Sequence, residues 1–136
     1  MQMSYTQIST SDLQGTTLAD YLVNIEAEFT VTDAGEVIYT ESCFPVAELA
    51  RELLRWISPG EHQAADFLFA SISFEDPGAV RIRHGLAGWT VGSMFTPDVD
   101  SAPLPWPDLV SAINEFATAV RRDLRTLGID PAFIGV

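Results

Sequence analysis

Hydrophobic and polar residues alternate most regularly between positions 23 and 31. The apolar positions are Val23, Ile25, Ala27, Phe29 and Val31, and the polar positions between them are Asn24, Glu26, Glu28 and Thr30. A period of two is typical of a strand with one buried and one solvent-facing side. Residues 1–20 are rich in Ser, Thr and Gln and show no such period. They are therefore predicted to form a polar N-terminal arm, loose or laid over a single domain of residues 21–136.

A hairpin is predicted directly after this strand. The three residues 33–35 end in glycine, and such a loop lets the glycine take the left-handed conformation that closes a hairpin. The resulting register sets Val37 opposite Val31. It also places Glu41 on the apolar side, so we expect the second strand to end or bulge near Thr40.

Two stretches show the apolar spacing of three to four residues that is typical of an amphipathic helix. The first begins at Pro45 and ends before Gly60, and the second extends from about Asp108 to Leu127. Their apolar positions are Val46, Leu49, Ala50, Leu53, Leu54 and Ile57 in the first, and Leu109, Val110, Ile113, Phe116, Ala117, Val120 and Leu124 in the second.

Three further strands are predicted between the helices. Residues 67–74 are strand-like, and an Asp-Pro-Gly turn leads into a strand over residues 80–84. A register with Phe74 opposite Ile82 also sets Glu75 opposite Arg81. A shift of the register by one residue would instead set the Phe74 ring opposite the charged Arg81. We therefore expect the first register.

The rest of the chain completes a meander. Gly85–Gly88 closes a hairpin in which Trp89 faces His84. The segment from Thr96 to Pro107 contains four prolines and is predicted to be a stiff surface crossover. The order is strand, strand, helix, three strands, helix. This order predicts an α+β fold with an antiparallel sheet of about five strands and two helices packed on one face.

Composition restricts the partners. The chain of 136 residues has 19 acidic and 7 basic side chains, a net charge of -12 and a hydrophobic share of 47%. Such a chain is expected to fold rather than to remain a disordered acidic tail. Phosphate binding needs clustered Lys and Arg, so no nucleic acid or anionic membrane is expected as a partner. No apolar run of 18 residues occurs and the first basic residue is Arg51, which predicts a cytoplasmic protein without a membrane span or a secretory signal.

Candidate chemistry is sparse. Neither GxGxxG nor GxxxxGK[ST] occurs, and no metal-ligand spacing joins His62 and His84, so no cofactor, catalytic residue or metal site is predicted. We interpret His84 as a rim histidine packed on Trp89 rather than as a general base. Cys43 precedes a helix that could activate a thiol, but a buried, inert thiol is the preferred interpretation.

The charge is concentrated, because the first fifty residues contain eight acids and no arginine. In the predicted register, a candidate binding face combines three outer-face glutamates with two aromatic residues and a glutamate of the third strand: Glu26, Glu28, Glu36, Phe67, Phe69 and Glu75. Aromatic anchors bordered by carboxylates suit a basic protein partner. The opposing interpretation is that the arm or the C-terminal tail covers the rings and that the acids serve solubility.

Three stretches carry a resemblance to known proteins. They are Phe44–Ala50 (FPVAELA), Gly88–Ser93 (GWTVGS) and Trp106–Asp123 (WPDLVSAINEFATAVRRD). Together, across residues 21–130, the chain resembles small acidic bacterial domains grouped with the immunity proteins of polymorphic toxin systems. The resemblance implies an inhibitor that binds one cognate toxin, often a cationic nuclease whose cleft an acidic surface blocks. It carries over no functional residue, because these families share no catalytic motif.

The leading hypothesis is therefore a non-enzymatic binding protein, an immunity-type inhibitor that neutralises a basic toxin through the acidic and aromatic sheet face. The alternative is a small-molecule-binding domain or small enzyme with a pocket between helices and sheet, where His84, Trp89 and Glu41 converge. A structural or regulatory subunit of a larger assembly is a third hypothesis.

Overall fold

The computed structural model describes residues 1–135, which form an α+β fold with two antiparallel sheets and three α-helices. The strands are β1 (Gln2–Ser9), β2 (Glu26–Asp33), β3 (Glu36–Phe44), β4 (Phe67–Leu68), β5 (Arg81–Gly85), β6 (Gly88–Ser93) and β7 (Thr96–Asp100). The helices are α1 (Leu18–Asn24), α2 (Val46–Ile57) and α3 (Trp106–Thr126), and short 3-10 helices cover Glu61–Gln63 and Pro131–Ile134. The α+β class is confirmed, but the strands form two sheets rather than one of about five strands.

The first sheet has the order β1-β2-β3. The alternation predicted for residues 23–31 is confirmed from Glu26 onward, since Ala27, Phe29 and Val31 are buried, but Val23 and Asn24 belong to α1 instead of the strand. Within the predicted polar arm of residues 1–20, residues 2–9 form a strand that pairs with β2. An irregularity between Thr6 and Ser9 interrupts the strand's period of two, which explains why the sequence pattern did not indicate it.

The β2–β3 hairpin is tighter than predicted. Asp33 pairs with Glu36, so the loop has two residues, Ala34 and Gly35, with φ angles of 49° and 83°. Positive φ at both loop residues is typical of the turns that match strand twist. The shorter loop and a nearby irregularity set Val31 opposite Tyr39, so the predicted pairing of this valine with Val37 is wrong. The bulge expected near Thr40 lies between Glu41 and Phe44.

The second sheet has the order β4-β5-β6-β7. The predicted pairing of His84 with Trp89 is confirmed. The register with Phe74 opposite Ile82 is wrong, because Phe67 pairs with Ile82. Glu75 is therefore not opposite Arg81, whose partner on β4 is Leu68. The predicted crossover also contains an element, since β7 pairs with β6 at the edge of this sheet.

A buried carboxylate explains why the third predicted strand is short. Glu48, in the first turn of α2, is buried and accepts hydrogen bonds from the Ser71 hydroxyl and from the Ile72 N–H at 3.2 Å. The Gly78 N–H donates to the Phe69 carbonyl at 2.8 Å and closes the loop. The chain between these residues is thus held against the N-terminus of α2 instead of continuing the sheet.

The helices pack on both sheets around a shared core. α2 lies against α3, and α3 contacts both β1 of the first sheet and β6 of the second. The predicted apolar stripe of α3 is confirmed by the burial of Leu109, Ile113, Phe116, Val120 and Leu124. Within residues 1–135, no helix combines the length and the apolar character needed to cross a bilayer.

Candidate functional site

A cleft of about 310 Å³ opens where β1, β2 and the end of β3 meet. We call it the acidic cleft, and its lining residues are Gln7, Ser9, Ser11, Asp12, Glu26, Ala27, Glu28 and Cys43. Glu26 and Glu28 occupy alternate positions of β2 and are half-buried, while Asp12 is exposed in the turn after β1. The polar face of β2 and the N-terminal segment thus form this site together.

The acidic cleft is negatively charged. No arginine or lysine precedes Arg51 in the chain, and the ion pairs formed among residues 1–135 do not include Asp12, Glu26 or Glu28. The Ser42 hydroxyl donates a hydrogen bond to Glu28 at 2.8 Å, which fixes one carboxylate without neutralising it. Half-buried carboxylates without a counter-ion attract a cation more strongly than fully solvated ones.

Cys43 is exposed on the wall of the cleft, so the prediction that it is buried is wrong. Its φ of 54° belongs to the irregular end of β3, where the alternation of faces is broken before the buried Phe44. The pKa of the thiol is raised, mainly by the negative charge of Glu26, with smaller effects of burial and of neighbouring carboxylates. The thiol is therefore held in its protonated form and is not an activated nucleophile.

The predicted binding residues are only partly brought together. Glu26 and Glu28 line the acidic cleft, but Glu36 lies at the other end of the hairpin, paired with Asp33. Glu75 is exposed in the loop between β4 and β5.

The expected aromatic surface is not formed. Phe67 and Phe69 are only 7% and 1% exposed, because the first packs on Trp56 at 5.5 Å and the second on Phe44 at 5.7 Å between ring centroids. Both rings serve the core, because Phe67 pairs with the buried Ile82 and Phe69, two residues further, lies on the same side. Neither the arm nor the C-terminal tail is needed to explain their burial.

The residues of the alternative pocket have separate contacts. The His84 ring stacks on Trp89 with 4.3 Å between centroids and 13° between planes, which confirms the predicted packing. The Trp89 indole N–H donates to Glu61 at 3.0 Å, whereas Glu41 accepts from the Tyr39 hydroxyl at 3.3 Å. Glu61, the carboxylate that binds the Trp89 indole, was thus not among the residues predicted from the sequence.

Sequence reasoning missed the contribution of Asp12, because it requires the pairing of β1 with β2. The sequence indicates β1 only through Met3 and Tyr5, which stand at alternate positions, and the alternation of apolar and polar residues ends after Tyr5. Within residues 1–135, no cluster of three or more His, Cys, Asp or Glu side chains is arranged to hold a metal ion.

The fold and the cleft define the class: a small α+β domain with an anionic surface cleft. Residues 1–126 match the family model described as "Domain of unknown function (DUF7878)", and the chain belongs to this family. Comparison with curated proteins and with solved structures found no match.

Proposed function

We propose that this protein is a non-enzymatic, cytoplasmic binding protein whose acidic cleft takes up a basic segment of a partner protein. The observation that carries the proposal is the placement of three carboxylates, Asp12, Glu26 and Glu28, on one cleft without a counter-ion among the described residues. Complementary charge both steers the encounter and selects the partner.

The cleft suits an arginine side chain in particular. A guanidinium group presents five N–H donors in a planar fork, and carboxylates accept two of them at once. The polar groups of Gln7, Ser9 and Ser11 line the same cleft and supply further acceptors. A lysine offers fewer donors to so many oxygens, so arginine is the preferred anchor of the partner.

The more specific proposal is that the partner is a basic toxin domain and that the protein is an immunity-type inhibitor. It is supported by the resemblance in sequence and by the net charge of -12. A strongly acidic inhibitor associates rapidly with a cationic enzyme, which is the property that protection against a toxin requires.

Titration of isotope-labelled protein with a hexa-arginine peptide tests the cleft. We expect the largest amide shifts at Asp12, Glu26, Glu28 and Cys43. The double variant Glu26→Gln/Glu28→Gln should weaken binding about tenfold, which corresponds to about 1.4 kcal/mol.

The matched control is Glu36→Gln/Glu115→Gln, which removes the same number of charges at exposed positions away from the cleft. Its affinity for the peptide should stay within about twofold of the wild type. An equal loss in both double variants would show that the peptide responds to net charge alone and would overturn the proposal of a site.

A further inference from the structure

A second surface lies at the tip of the β6–β7 hairpin. Met94 and Phe95 are the two residues between the paired Ser93 and Thr96, and they are 47% and 43% exposed. Tight turns favour Gly, which adopts positive φ without strain, and Asn, Asp and Ser, whose side chains hydrogen-bond to the turn backbone. Ser93 follows this rule, since its hydroxyl accepts the Phe95 N–H at 3.1 Å. Two large apolar side chains at the next positions contribute nothing to the turn itself.

Each of these two side chains lies beside another partly exposed apolar residue. Gly78 lies against Met94 and Leu68, so that a methyl group at this glycine would meet both side chains. The Phe95 ring packs edge-on against Phe74 at 6.0 Å between centroids. Leu68 is 49% exposed. We call the surface formed by Leu68, Phe74, Met94 and Phe95 the apolar tip.

The apolar tip is held rigidly from below. The Met94 N–H donates to the Gly78 carbonyl at 2.8 Å, and the Met94 sulfur lies 3.2 Å from the Arg81 guanidinium. Arg81 is only 5% exposed and is fixed by Asp100 at 2.9 Å. A surface that is already ordered loses little conformational entropy on binding, and this favours recognition.

Four carboxylates lie near residues of the apolar tip, either in the chain or through one contact, and we call them its rim. They are Glu41, Glu75, Asp76 and Asp98. Glu75 and Asp76 directly follow Phe74 in the chain, and Asp98 lies three residues beyond Phe95. Glu41 accepts a hydrogen bond from Tyr39, whose ring lies 6.4 Å from that of Phe95. The ion pairs among residues 1–135 include none of the four. The exposed side chains of the apolar tip are thus flanked by four carboxylates without an ion-pair partner among the described residues, while Arg81 beneath Met94 shares Asp100 with Arg83.

We propose that the apolar tip docks an amphipathic segment of a protein partner, in which apolar side chains are flanked by Lys or Arg. The charge of the rim decides between the occupants. A second copy of this chain would place like carboxylates against each other, and an anionic membrane would be repelled. A basic amphipathic segment is attracted by the rim and buries the exposed side chains. This surface shares no residue with the acidic cleft and goes beyond the function proposed for it.

The experiment uses a fluorescent helical peptide of roughly four turns, built from Leu and Lys with the leucines on one face. Its affinity is measured by fluorescence anisotropy. We expect Met94→Ser/Phe95→Ser to weaken binding about tenfold or more. Leu86→Ser is the matched control, because Leu86 is fully exposed at the tip of the neighbouring β5–β6 hairpin, and it should change the affinity less than about twofold.

Two further comparisons test the charge around the apolar tip. Glu75→Gln/Asp98→Asn should weaken peptide binding several-fold, whereas Asp108→Asn/Glu115→Gln, at exposed positions on α3 and with the same change in net charge, should leave it nearly unchanged. A peptide with Glu in place of Lys should not bind. Equal effects of the two double variants would place the peptide outside the apolar tip and would overturn this proposal without touching the hexa-arginine result.

Two controls keep the result decisive. Thermal unfolding of Met94→Ser/Phe95→Ser checks its fold, and Met94→Ser alone replaces it if the double variant is unfolded. Sedimentation of the free protein tests whether a second copy of the chain occupies the apolar tip. A wild-type dimer that Met94→Ser/Phe95→Ser abolishes would assign the surface to self-association and overturn the proposal. Equal losses with Leu86→Ser would also contradict it.

Discussion

Cys43 shows how a single residue reports the electrostatic potential of the acidic cleft. Its thiol is accessible, yet nearby carboxylates disfavour the negative thiolate and raise the pKa, with Glu26 as the main cause. Accessibility alone therefore does not make this cysteine reactive, since the thiolate is the nucleophilic form.

The variant Glu26→Gln should lower the pKa of Cys43, because it removes the largest unfavourable charge. More thiolate is then present at neutral pH, and alkylation by iodoacetamide should become faster. The pH dependence of the alkylation rate measures this shift. Glu36→Gln, at the far end of the hairpin, should leave the rate unchanged. A rate that is equal in both variants and the wild type would mean that the cleft carries little negative potential.

At the scale of elements, β4 and the loop that follows it determine which aromatic rings form the core. The strand ends at Leu68, and Glu48 of α2 then holds Ser71 and Ile72 through hydrogen bonds. Phe69 is fully buried, whereas Phe74 is half-buried beside the exposed Phe95. The core thus depends on the first of these rings more than on the second.

We expect Phe69→Ala to lower the free energy of unfolding by roughly 3–5 kcal/mol, because it leaves a cavity among buried side chains. Phe74→Ala should cost clearly less, since part of that ring is already in contact with solvent. Urea denaturation of both variants, with unchanged slopes, provides the comparison. If Phe74→Ala proved the costlier change, the longer strand predicted from the sequence would be correct and β4 as described would not.

At the scale of the whole molecule, one carboxylate connects the two sheets. Asp33 ends β2 of the first sheet and accepts the Ala102 N–H at 2.7 Å, just beyond β7 of the second. This backbone hydrogen bond is the main reason that the pKa of Asp33 is lowered. A carboxylate with a lowered pKa stabilises the folded state above its unfolded pKa, and the stabilisation is lost as the pH falls through the folded value.

Asp33→Asn should therefore reduce the free energy of unfolding at neutral pH by roughly 1 kcal/mol, since a charge-assisted hydrogen bond becomes a neutral one and the ion pair with the Met1 ammonium at 3.2 Å is lost. The variant should also lose less stability than the wild type when the pH falls below about 4. Thermal unfolding across this pH range measures both effects. Asp98→Asn, which removes an exposed carboxylate of β7, is the control. Parallel pH profiles for Asp33→Asn and the wild type would exclude a role for this contact.

Part of this architecture is determined by the sequence itself. The alternation of β2, the apolar stripes of α2 and α3, and the glycine-bounded β5–β6 turn each lie in consecutive residues, so local periodicity and turn chemistry specify them without knowledge of distant partners. The net charge and its concentration in the first fifty residues are likewise properties of the sequence alone. They identified Glu26 and Glu28 as members of a charged surface.

Only the tertiary structure decided which residues share a surface. β1 depends on its pairing with β2 across the intervening α1, and bulges in β1 and β3 shift side chains from one face to the other. Cys43 became exposed and joined Asp12 at the cleft for this reason. Phe67 and Phe69 became buried because the register of β4 sets Phe67 opposite the buried Ile82, which turns both rings to the core. Long-range hydrogen bonds and strand register have no signature in neighbouring residues, so these outcomes required the folded chain.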